Sequence, residues 1–91
     1  MVEPIPYRST PIFDQDTLPK ALRTRHDTKV GIWGLIRVLE GRLQLTCLDP
    51  LSETILTPDK PGVVLPQQPH FVTPIGVMKM QVEFYDHPPL S

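Results

Sequence analysis

The clearest pattern lies in GLIRVLEGRLQLTCL, residues 34–48. Apolar positions alternate on either side of Glu40-Gly41, a pair suited to a two-residue turn because glycine takes the positive φ such turns require. Read as a hairpin, Leu39 pairs with Arg42, Val38 with Leu43 and Ile36 with Leu45. One face then holds Ile36, Val38, Leu43, Leu45 and Cys47. The other carries Arg37, Arg42, Gln44 and Thr46, with Leu35, Leu39 and Leu48 among them. A slip of one residue would undo this sorting.

Alternation predicts shorter strands elsewhere. Residues 21–26 put Leu22, Thr24 and His26 on one side of a strand. Asp49-Pro50 marks a turn, residues 53–57 a strand and PDKPG another turn. Strands follow at 63–65 and 70–72, then a turn at Pro74-Ile75-Gly76. The last strand, 77–85, has Met78, Met80, Val82 and Phe84 on its apolar face. Residues 1–20 read as an irregular arm with a weak helical turn at 14–18, anchored by Ile12 and Phe13. Residues 87–91 read as a tail. The expected organisation is an arm packing on a barrel at 21–86, followed by that tail.

Composition agrees with an all-β chain. Twelve prolines in 91 residues leave intervals too short for long helices. The length suits one domain. A net charge of -1 with mixed signs gives no basic patch for nucleic acid, and no apolar run approaches a membrane span. The N-terminus lacks a secretory pattern, and Cys47 is the only cysteine, which excludes an internal disulfide and four-cysteine zinc sites. A cytoplasmic location is expected.

At VLEGRL and PGVVLPQQPH the pattern resembles the cupins. With RHDTKVGIWG and VEFYD added, it looks like the small TehB/YeaR-like cupin family associated with tellurite resistance. The resemblance covers about residues 24–88. It implies an all-β, single-domain, double-stranded β-helix (a jelly-roll barrel). In some members the domain precedes a methyltransferase. These 91 residues leave no room for one and hold no glycine-rich nucleotide-binding motif, so tellurite methylation is not carried over.

Placed on the general cupin pattern, His26 and His70 match two histidine positions. Thr28 stands at the second histidine of the first motif and Trp33 at its glutamate. Two of four usual metal ligands are thus retained. The expected metal is a divalent Zn, Fe, Ni or Cu on His26 and His70, with Glu83 as third ligand. Against Glu83, it shares parity with Lys79 and Gln81 rather than with the methionines. Thr28, Lys29 and Trp33 are candidate ligand-binding residues, the last two equally readable as a solvated lysine and a core anchor. No catalytic residue is assigned.

Three functions follow as expectations. The first is a module binding a metal or a small molecule, anions included, in a stress or oxyanion response. The second is a small metalloenzyme using His26 and His70. The third is a degenerate barrel retained for protein contacts. The leucines among the arginines of the hairpin point to a homodimer.

Overall fold

Two long strands of 16 residues each carry this fold. The computed structural model describes residues 5–89. Strand β1 is Arg8–Ser9, β2 Phe13–Asp14, β3 Trp33–Leu48, β4 Leu51–Leu56, β5 Gly62–Val64 and β6 His70–Tyr85; one helix of four residues, α1, spans Lys20–Arg23. They form a six-stranded antiparallel sheet in the order β1-β6-β3-β4, with β2 also on β6 and β5 also on β3. The chain is therefore one mostly antiparallel β domain with little helix. That is the all-β class the sequence predicts, seen as one sheet and its strand order and not as the double-stranded β-helix that the resemblance implies. No helix among the described residues is long and apolar enough to cross a membrane.

The expected hairpin at Glu40-Gly41 does not form. Strand β3 runs through that pair and lies against β6 on both sides of it, Trp33 opposite Tyr85 at one end and Cys47 opposite His70 at the other. Gly41 has φ +75°, but it marks an irregularity in pairing rather than a reversal. The expected turn at residues 74–76 is likewise inside β6, with Gly76 at φ +66° and Ile75 opposite Arg42. The two glycine signals thus face one another across a paired ribbon. An unpaired residue bends a strand and sharpens its twist, so two sites that resemble turns make one bend.

Face sorting survives this change. Ile36, Val38, Leu43, Leu45 and Cys47 all lie in the core, with Leu56, Val72, Met78 and Met80. The irregularity at residues 39–42 switches parity just as a hairpin would. On the reverse face Leu35 is fully buried, flanked by Val63 on β5 and Glu83 on β6. It is therefore unavailable to the self-association surface expected of it, whereas Leu39 is exposed.

Two further expectations change. Residues 21–26 do not form a strand: α1 occupies Lys20–Arg23, and the Thr24 hydroxyl donates to the Lys20 carbonyl just beyond it. Only His26 pairs, in an isolated bridge to His70. At 14–18 the chain makes a turn held by Asp14, whose carboxylate accepts from the amides of Asp16 and Thr17 and has its pKa lowered by those bonds. Residues 1–4 of the arm and 90–91 of the tail lie outside the described residues.

Candidate functional site

Strands β1, β3, β5 and β6, with α1 and the loop before β3, line a cavity of about 260 Å³. Its walls are the core-facing side chains of Ile36, Val72, Met80, Val82 and Phe84, with Val64 from β5. Exposed Arg8, Asp27 and Lys29 add charges of both signs to the lining. His26 and His70 also line it.

The two histidines meet because their backbones pair. The His26 amide donates to the His70 carbonyl at 3.0 Å and the His70 amide returns the bond at 2.9 Å. Their ring centroids stand 4.1 Å apart at an interplanar angle of 59°. Each ring is anchored the same way: Nδ1 of His26 lies 2.9 Å from the Thr24 carbonyl, and Nδ1 of His70 lies 2.7 Å from the Gln68 carbonyl. A carbonyl only accepts, so Nδ1 carries the proton in both neutral rings and Nε2 keeps its lone pair. Burial lowers the His70 pKa; the Gln68 carbonyl opposes that and neighbouring His26 adds to it. His70 is only 4% exposed, and the neutral imidazole is the form this environment favours.

The other expected site residues divide. Thr28 lines the cavity, but its hydroxyl is already engaged. It donates to the Leu65 carbonyl at 3.1 Å and accepts from the Gln67 amide at 3.2 Å, clasping the loop that leads to His70. Lys29 is on the lining and exposed. Trp33 is half-buried at the start of β3 and is not part of the cavity wall. Glu83 lies away from the histidines. Strand alternation puts it between Val82 and Phe84, which line the cavity, and its carboxylate instead takes Arg37 Nε at 2.7 Å and the Tyr85 hydroxyl at 2.9 Å. That contact raises the Arg37 pKa, while burial followed by Glu83 raises that of Tyr85. The parity of Glu83 in the sequence had already argued for this outcome.

The sequence reading missed Arg8, Asp27, Leu22 and Ile32 as lining residues. Asp27 stands in the HDTK segment and was within reach of that reading. Arg8 was not, since only the pairing of β1 with β6, opposite Phe84, brings it to the cavity. Among the described residues no cluster of three His, Cys, Asp or Glu side chains could hold a metal ion.

Similarity to known proteins bears on the same point. The chain is 39% identical over 61 residues to the probable S-adenosyl-L-methionine-dependent methyltransferase TehB of Haemophilus influenzae strain Rd, a match covering 63% of this chain and 21% of that protein. The counterpart from strain 10810 is 38% identical over the same shares. The chain thus spans about a fifth of the length of the curated relatives it matches. The crystal structure of H. influenzae TehB superposes with a TM-score of 0.80 at 31% identity, covering 88% of this chain and 30% of that one. A protein from E. coli strain K12 superposes with a TM-score of 0.79 at 20% identity, covering 92% and 91%; at that identity the likeness is one of fold. These relatives overturn the expectation of a metal-binding cupin module, and with it the Zn, Fe, Ni or Cu cofactor: their names point to methyl transfer with S-adenosylmethionine. The TehB-like domain family matches residues 8–82, most of the described chain, and the chain belongs to that family.

Proposed function

We propose that this domain serves S-adenosylmethionine-dependent methyl transfer as an accessory β domain, working beside a methyltransferase unit that holds the methyl donor. The observation that carries this reading is its match to a limited part of proteins named as S-adenosyl-L-methionine-dependent methyltransferases, 21% of their length.

The residues present do not fit the donor itself. Nucleotide cofactors are commonly held where a strand runs through a glycine-rich turn into a helix, whose N-terminus and a following acid bind the polar groups. Among the described residues the only helix is four residues long, and it follows a proline. Asp27 is the only carboxylate on the cavity wall. No methyl-transfer step is therefore assigned to this chain's own residues.

A domain exchange tests the reading. Residues 8–82 replace the matching segment of H. influenzae TehB, and methyl transfer and S-adenosylmethionine affinity are measured together. Donor affinity within about twofold of the parent and retained turnover are expected, while the isolated chain shows no donor binding by calorimetry. Tight binding of S-adenosylmethionine to the isolated chain would overturn the accessory role.

A further inference from the structure

The cavity combines features that the methyl-transfer reading leaves unused. Its wall is largely aliphatic and aromatic, yet it contains two imidazoles locked in one tautomer. Both Nδ1 atoms are committed to backbone carbonyls. Among the described residues, neither Nε2 has a hydrogen-bond partner, and no buried side-chain nitrogen or oxygen lacks one. The Nε2 of His70, on a residue that lines the cavity and is otherwise buried, must therefore reach its open space. An imidazole in this state accepts a hydrogen bond and cannot give one from Nε2.

This selects the ligand by chemistry. An anion could meet Arg8 and Lys29 only at the exposed part of the lining; within, it brings only acceptors to the two Nε2 lone pairs and sets its charge against aliphatic wall, at a desolvation cost. A plain hydrocarbon leaves both lone pairs dry. A molecule with an apolar body and one hydroxyl or thiol satisfies wall and lone pair together. Size agrees: a cavity of about 260 Å³ exceeds the roughly 150 Å³ that accommodates benzene, leaving room for a substituted single ring.

We propose that the cavity binds a small uncharged molecule with an apolar body, through a hydroxyl or thiol that donates a hydrogen bond to Nε2 of His26 or His70. Hydroxyl and thiol groups are also what a methyl donor alkylates. The ligand's role as methyl acceptor rests on the accessory reading above; its binding does not, because binding is measured without any methyltransferase.

The test uses the whole chain at pH 8 with p-cresol and benzyl mercaptan as donors, toluene as the apolar control and p-toluate as the anionic one. Calorimetry is expected to show p-cresol and benzyl mercaptan binding at least about tenfold tighter than toluene and p-toluate. At least one of His70→Leu and His26→Leu should erase that preference while toluene binding persists, and a preference intact in both would overturn the proposal. Should either variant fail to fold, the wild-type protein still decides: the imidazole Nε2 nitrogen resonances move on adding p-cresol and stay in place with toluene. Equal or tighter binding of toluene, preference for p-toluate, no binding of any probe, or unmoved Nε2 resonances at saturating p-cresol would each overturn the proposal.

Discussion

At the scale of single residues, His70 shows how a backbone bond and a side-chain bond together define a chemical state. Its strand position places the ring in the cavity, the Gln68 carbonyl fixes its tautomer, and burial favours the neutral form. The consequence for stability has a definite sign. A histidine whose pKa is lowered on folding binds fewer protons folded than unfolded, so its contribution is fully present above the ordinary value near 6.5 and is lost as pH falls from there through the folded value. Urea unfolding between pH 8 and pH 5 should show stability declining across the acid half of that range, and His70→Leu should flatten the decline. An unchanged slope in the variant would assign the decline to other groups. Thr28 is the complementary case. From its place in the sequence it looks like a ligand-binding hydroxyl, but both directions of its hydrogen bonding are spent on the loop at residues 65–68.

At the scale of elements, the bend in the β3–β6 ribbon separates two glycines that look alike in sequence. Both have positive φ, where a side chain costs about 1–2 kcal/mol. A Cβ on Gly76 meets nothing within 4 Å, whereas one on Gly41 would fall 2.2 Å from the Val77 carbonyl oxygen and 3.1 Å from Met78 Cα, both backbone atoms. Gly76→Ala should therefore lose only that strain, about 1–2 kcal/mol. Gly41→Ala should lose about 3 kcal/mol or more, or fail to fold. Denaturant midpoints of the two variants decide this, and equal losses would place the bend elsewhere. The same bend explains what the sequence could and could not disclose. The alternation of Ile36 and Val38 with Leu43, Leu45 and Cys47 identified the core face correctly, because burial follows parity. Whether the parity switch between Val38 and Leu43 was a reversal or a bulge was not legible. A glycine with positive φ serves either, and the partner that decides, β6, lies some thirty residues further along.

At the scale of the whole molecule, stability rests on one core drawn from both halves of the bent ribbon. The Cα radius of gyration, 12.3 Å, is that of a well-collapsed chain of this length, about 12 Å. Chains this short bury a limited share of their surface, and total stability lies in the range of about 5–15 kcal/mol. Leu43 is fully buried in that core. Leu43→Ala should cost about 2–5 kcal/mol, measured by urea unfolding, and so take a large share of the total. A loss under about 1 kcal/mol would mean that the core collapses around the gap. The histidine pair belongs to this scale as well. Each member was legible from the sequence through the family resemblance, but their meeting depends on the bridge between a loop and β6. Glu83 shares strand β6 with His70, and its parity turns the side chain to Arg37 instead.

The irregularity in β3 between Val38 and Leu43 has one more implication, for insertions and deletions. The outward-facing interval there is four residues, 39–42, where strict alternation would allow an odd number. Removing any one of them would leave three, and strict alternation would then keep Leu43, Leu45 and Cys47 on the core face of Ile36 and Val38; what would go is the extra residue that bends the ribbon. A one-residue deletion here would leave the hydrophobic code intact and straighten the curve it is wrapped around, a lesion visible in the shape of the ribbon and not in its burial pattern.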